Sequence, residues 1–140
     1  MGIGSFFKAL VNPEASGELM ISSLEKQYQI MTKAMPDKNP YVHLTEIYSI
    51  RRSGFRNLKG IEREALFAEA TQAAMLHACL PPPKNIRALA LFLLFKERED
   101  IMRSCPKFLI EYSELMEPVH AAESKGTRHN LFKKYNPKVE

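Results

Sequence analysis

Hydrophobic positions along the chain recur mainly at intervals of three and four residues, the spacing that places side chains on one face of an α-helix. The densest stretch is ALALFLLF at residues 88–95, where apolar groups would surround most of a helix. The apolar run from Ile86 to Phe95 covers ten residues and includes Arg87, whereas a bilayer span needs roughly 20. The pattern therefore predicts a buried core helix and no transmembrane segment.

Helix start and stop signals divide the rest of the chain. Asn12-Pro13 and Asn39-Pro40 each place a capping residue before a proline, which suits the first helical position. Residues 60–79 contain six alanines and no proline, a composition typical of a helix. We therefore expect an all-α, single-domain bundle with a short N-terminal helix and five principal helices, at about residues 13–35, 40–52, 60–79, 84–103 and 105–120.

Charge is unevenly distributed between the body of the chain and its end. Residues 1–124 contain 15 Lys and Arg and 15 Asp and Glu, whereas residues 125–140 contain 5 and 1. The hydrophobic periodicity also stops near residue 123, and Pro118 is expected to kink or end the last principal helix. The sequence therefore predicts a helical domain at residues 1–124 and a basic, flexible tail at residues 125–140.

Two apolar stripes are candidates for contact with another protein. The first lies on the short N-terminal helix, and the second continues the seam of the helix that follows it. The candidate interface residues are Ile3, Phe6, Phe7, Leu10, Met31 and Met35. The first stripe could instead dock on the bundle or anchor the protein at a membrane surface. Its helix has a single lysine, whereas a membrane-surface helix usually carries several basic residues. Ordinary core packing is the alternative for the second.

Two basic segments are candidates for binding an anion or a nucleic acid. Residues 51–60, RRSGFRNLKG, precede a helix N-terminus whose free amides could face a phosphate, although Glu62 and Glu64 compete for them. The basic tail combines cations for phosphates with an aromatic ring for stacking. The candidate residues are Arg51, Arg52, Phe55, Arg56, Lys59, Arg128, Lys133, Lys134 and Tyr135. A solvated loop and a solvated tail are the alternative interpretations.

No arrangement of residues indicates a reaction. His77 and Cys79 are two positions apart, so on a helix they point away from each other and cannot share a proton. Glu117 and His120 have the spacing of one half of a di-iron motif, but such a site needs a second copy and two more acids. We therefore predict no cofactor, no metal and no catalytic residue, and an enzymatic function is unsupported by the sequence.

The composition is that of an ordinary globular domain, with 45% hydrophobic and 26% charged residues. Two cysteines without a disulfide pattern predict reduced thiols and a cytoplasmic location. The leading hypothesis is a small non-enzymatic helical interaction or adaptor domain, whose partner is another protein or a second copy of itself. One alternative is a protein that binds nucleic acid without sequence preference, through residues 51–60 and the tail. A third is a metal-dependent helical-bundle enzyme.

Overall fold

A computed structural model describes residues 12–54 and 56–137, and every regular element within them is an α-helix. In chain order these helices are α1 (Pro13–Ala34), α2 (Pro40–Ser53), α3 (Ile61–His77), α4 (Lys84–Glu97), α5 (Glu99–Ser104), α6 (Pro106–Ser124) and α7 (Arg128–Tyr135). They pack into one domain, which confirms the predicted all-α class. The described residues form seven helices rather than five, because one predicted helix is divided and another helix forms near the C-terminus.

The first two helices begin where the sequence signals place them. The Asn12 side chain accepts hydrogen bonds from the backbone N–H groups of Glu14 and Ala15, at 2.9 and 3.3 Å. These bonds satisfy two amides that have no partner within the helix, and a proline occupies the first helical position. Asn39 and Pro40 begin α2 in the same order.

The predicted core helix is α4, and its side chains are buried on several sides. Leu89, Leu93 and Leu94 are fully buried, in agreement with the sequence pattern. α4 packs most extensively against α1, while α2 and α3 form the other close pair. The pattern predicted that α4 is covered on nearly all sides. Phe95 is 47% exposed, so this prediction does not hold at the C-terminal end of the helix.

The helix predicted at residues 84–103 is divided at Arg98, which is a correction to the predicted boundaries. Arg98 has φ −133° and ψ 62°, so it leaves the helical conformation while its N–H still bonds to the carbonyl of Leu94. The acids at 99 and 100 then begin α5, a position where negative charge suits the helix dipole. The change of direction buries Ile101 and Met102, and this burial stabilises the break.

The helix predicted at residues 105–120 continues through Pro118 and ends at Ser124 as α6. Proline removes one backbone hydrogen bond, so a helix that continues past it needs stabilisation from elsewhere. Val119 and Ala122, the next inward-facing residues, are 0% and 9% exposed. Their burial holds the last two turns of α6 on the bundle.

A tight turn connects α6 to α7. Gly126 has φ 71°, a conformation that favours glycine, and its N–H bonds to the carbonyl of Glu123. The N–H of Thr127 bonds to the carbonyl of Ala122 at 2.8 Å, which completes a Schellman motif. The turn lets the chain resume as a helix directly after α6.

Residues 128–137, expected to belong to a flexible tail, instead form α7 and a buried contact with two other helices. Asn136 is fully buried. Its Oδ1 accepts a hydrogen bond from the N–H of Tyr41 at 3.1 Å, and its Nδ2 donates to the carbonyls of Ala78 and Phe132 at 3.0 and 2.8 Å. One side chain thus joins the end of α7 to the start of α2 and the end of α3.

Replacing Asn136 with alanine is expected to lower the free energy of unfolding by about 2 kcal/mol, because buried polar groups lose their partners. Urea denaturation followed by circular dichroism measures the change. Asn130→Ala is the matched control, since Asn130 lies on α7 and is exposed. Equal effects of the two substitutions would contradict a structural role for Asn136.

Candidate functional site

The basic residues at the end of α2 are largely committed to contacts within the domain. Arg51 donates a hydrogen bond to the carboxylate of Glu97 at 2.8 Å. Arg56 donates to the backbone carbonyls of Arg52 and Ser53 at 3.0 and 3.3 Å, so its guanidinium closes the C-terminal end of α2. These contacts leave fewer free cations in the described part of the loop than the sequence indicated.

Arg52 lies beside a buried tyrosine. Its Nε is buried without a hydrogen-bond partner, as is the hydroxyl of Tyr48. Burial, followed by the nearby carboxylate of Glu69, raises the pKa of Tyr48 to about 12. Glu69 also lies 3.5 Å from the ammonium of Lys96. Arg52 and Glu69 line an open pocket of about 550 Å³ that carries both signs of charge, and this mixture does not define an anion site.

A second concave surface lies between α2 and α3, and we call it the α2–α3 groove. Its volume is about 400 Å³. The described lining residues are Ser49, Ile50, Ser53, Arg56, Asn57, Leu58, Arg63, Leu66 and Phe67. Ile50 is 49% exposed and Phe67 is 63% exposed, although both are large apolar side chains. The groove therefore combines an apolar surface with two arginines.

Sequence reasoning missed Ile50, Arg63 and Phe67 as site residues. The core stripe of α3 is formed by Ala70, its neighbours at 73 and 74, and His77. Phe67 lies three positions before Ala70 and seven before Ala74, so helical spacing places it on the same stripe and predicts a core position rather than the 63% exposure that the structure shows. The partner helix that makes the surface concave could not be read from the pattern.

The basic residues of α7 lie far from the 51–60 loop. Arg128 pairs with Glu123 at 3.4 Å, and the Lys134 ammonium lies 5.4 Å from the centre of the Tyr135 ring. Lys133 is exposed. Asn136, directly after α7, contacts Tyr41 near the start of α2. Residue 51 lies ten residues further along α2, which corresponds to roughly 15 Å of helix rise. The two basic segments therefore lie toward opposite ends of α2.

The two residues considered for nucleophilic chemistry are both buried. His77 Nδ1 lies 2.7 Å from the carbonyl of Ala73, and Nε2 lies 2.8 Å from the hydroxyl of Tyr112. This arrangement fits a neutral ring that donates to the carbonyl and accepts from tyrosine. Burial lowers the pKa of His77 to about 4 and raises the pKa of the Cys79 thiol. His77 is a satisfied core histidine, and Cys79 is a small core residue.

The pair considered for metal binding lies on the surface of α6. Glu117 and His120 are both exposed, and the imidazole of His120 lies 3.8 Å from the carboxylate of Glu123. Within residues 12–54 and 56–137, no three His, Cys, Asp or Glu side chains are grouped so that they could hold a metal ion. The described residues therefore do not assemble a metal site around this pair.

The predicted interface residues fall into two groups. Ile3, Phe6, Phe7 and Leu10 lie outside the described residues, as does Phe55 of the loop. Met31 is partly buried against the core, and Met35 is 38% exposed just beyond the end of α1. Lys59 is exposed in the loop before α3. Of the described apolar candidates, only Met35 is substantially open to solvent.

Comparison with models of known protein families found no match, and neither curated proteins nor solved structures gave a significant match. Among the described helices, none has the length and apolar character needed to cross a membrane. The protein is an all-α single domain with an open, arginine-flanked apolar groove.

Proposed function

We propose that the protein is a non-enzymatic interaction domain that binds another protein through the α2–α3 groove. The observation that carries this proposal is the exposure of Phe67 and Ile50 within one concave surface. Removing such side chains from water is favourable, and exposed aromatic residues in concave surfaces are frequent anchors of protein interfaces. The core side chains considered for chemistry, by contrast, are used for packing.

Affinity capture with matched variants tests this function. Tagged wild-type protein, Phe67→Ser and Phe95→Ser are incubated with lysate of the source cells, and retained proteins are identified by mass spectrometry. Phe95 is 47% exposed on α4 and controls for removal of an exposed phenylalanine outside the groove. We expect partners that Phe67→Ser loses and Phe95→Ser keeps. Thermal midpoints of all three proteins verify that the fold is intact.

Sedimentation equilibrium of the same three proteins tests whether the partner is a second copy of the chain. A wild-type dimer that only Phe67→Ser dissociates would identify the partner as a second copy of the chain. A wild-type protein that stays monomeric and retains no partner, or partners retained equally by both variants, would contradict binding through the groove.

A further inference from the structure

The charged residues that line the α2–α3 groove itself have one sign, whereas the adjoining pocket, which shares Arg56, Leu58 and Leu66 with it, also has Glu62 and Glu69 in its lining. Both charged side chains that line the described surface of the groove are arginines, Arg56 and Arg63, and no described acid lines it. Glu62 is turned toward the neighbouring pocket that also contains Arg52. Consecutive acidic and basic residues of α3 thus point to different sides of the helix.

Arg63 differs from the other arginines near the end of α2. Arg51 pairs with Glu97, and Arg56 uses its Nε and one Nη on backbone carbonyls. Arg63 is exposed and has no carboxylate within salt-bridge distance in the described part of the chain. Its guanidinium can therefore donate two parallel N–H···O hydrogen bonds to a carboxylate of a partner.

From this geometry we propose that the α2–α3 groove takes an acidic amphipathic segment of a partner protein. Apolar side chains of that segment pack between Ile50 and Phe67, over Leu58 and Leu66, while carboxylates beside them pair with Arg63. Helical segments present such side chains at positions three and four apart. This inference rests on the proposed function and adds to it the charge of the partner.

The composition of the groove favours a protein segment over a nucleic acid. Its described apolar lining is mostly aliphatic, and Phe67 is the one aromatic ring among those residues on which a base could stack. Two arginines neutralise only about two phosphates, which gives a log-log salt slope near −1.4 on a single strand. Such a surface binds a strand weakly, whereas aliphatic side chains pack well against other apolar side chains.

The N-terminal segment of the same chain does not have the required charge. Residues 1–11 contain Lys8 and no acid. Close approach of Lys8 to Arg63 would be unfavourable, so charge complementarity favours a separate acidic segment.

Peptide selection tests this inference directly. Random 16-residue peptides with equal frequencies of acidic and basic residues are displayed on phage and selected on the full chain, and Kd values are measured by fluorescence anisotropy. Peptides whose binding weakens at least about 10-fold in Phe67→Ser bind in the groove. We expect these peptides to carry net negative charge.

Charge reversal supplies the second measurement. Arg63→Glu is expected to weaken binding of the groove peptides by about 5-fold or more, because attraction becomes repulsion. Lys26→Glu, at an exposed position on α1, changes the net charge equally and should leave Kd within about twofold. Groove peptides that are neutral or basic, or equal effects of the two charge reversals, would contradict the inference that the partner segment is acidic. The proposed function would still stand, because the capture experiment tests it independently of the partner's charge.

A labelled single-stranded RNA of 20 nucleotides is titrated in parallel at 50 mM salt. RNA binding that Arg63→Glu abolishes, with no peptide depending on Phe67, would overturn the inference in favour of a nucleic acid. A selection that yields no Phe67-dependent peptide overturns it as well, and the capture experiment then decides separately whether the groove binds a folded partner.

Discussion

Replacing Leu93 with alanine is expected to lower the free energy of unfolding by about 2–5 kcal/mol. Leu93 is fully buried in α4, the helix that packs against both α1 and α2. A cavity created there has no solvent side into which neighbouring residues can collapse, so its lining loses packing contacts outright. Urea denaturation at constant pH measures the change in unfolding free energy.

Phe95→Ala provides the control for Leu93→Ala on the same helix. Phe95 is 47% exposed, so truncation removes less buried area and leaves no closed cavity. We expect a clearly smaller destabilisation than for Leu93, although phenylalanine is the larger residue. An unfolding midpoint of Leu93→Ala equal to that of wild type would show that α4 is not the core of the domain.

The helical architecture was predictable because its signals are local. Asn12 and Asn39 occupy the N-cap positions of helices that begin with proline, although only Asn12 accepts capping hydrogen bonds through its side chain, and the apolar run of α4 leaves no polar face. The break at Arg98 and the passage of α6 through Pro118 were not predictable in the same way. Both depend on the burial of side chains such as Ile101 and Val119 against other helices.

The C-terminal segment was predicted to be a flexible tail because of its basic composition, whereas residues 128–135 form a helix. The basic residues of α7 face solvent, while Asn136 makes the contacts that hold its end. An asparagine near a chain end has no hydrophobic signal, and its partners are distant in sequence. Gly126 was the available signal, because glycine after a helix often turns the chain into another element.

Long-range ion pairs were equally inaccessible from the sequence. Arg87 interrupts the apolar pattern of the core helix, and the structure places it 2.7 Å from the carboxylate of Glu111. Glu18 and Glu25 approach it at 3.4 and 3.7 Å. The guanidinium hydrogen bond lowers the pKa of Glu111. The arginine connects α4 with α1 and α6, a role that only the packing of three helices reveals.

The groove that we propose as an interface shares only Arg56, among its described lining residues, with the residues predicted to bind an anion or a nucleic acid. Residues 56–58 border the α2–α3 groove, yet Arg51 and Arg56 are held by internal contacts. Arg63 and Phe67 belong to α3, and their position beside Ile50 follows from how α2 and α3 pack. A pattern of charges along the chain cannot distinguish paired from unpaired arginines, since the partners come from other helices.

His77 is expected to make the domain less stable as the pH falls from about 6.5 to 4. Burial lowers its pKa in the folded protein to about 4, whereas the unfolded chain has the ordinary value of 6.5. Between these values the unfolded state binds a proton that the folded state does not, so acidification favours unfolding. The stabilisation is fully present above pH 6.5 and is lost as the pH falls through 4. The total loss in unfolding free energy is roughly 3 kcal/mol.

Comparison with His77→Gln isolates this contribution from that of the carboxylates. The variant removes the titrating group, so its deficit in unfolding free energy relative to wild type should be largest near pH 7. We expect that deficit to shrink by roughly 3 kcal/mol between pH 7 and pH 4, as measured by urea denaturation at each pH. His120→Gln controls for loss of a histidine whose ring is exposed. A deficit of His77→Gln that stays constant over this range would show that His77 is not buried as a neutral ring between Ala73 and Tyr112.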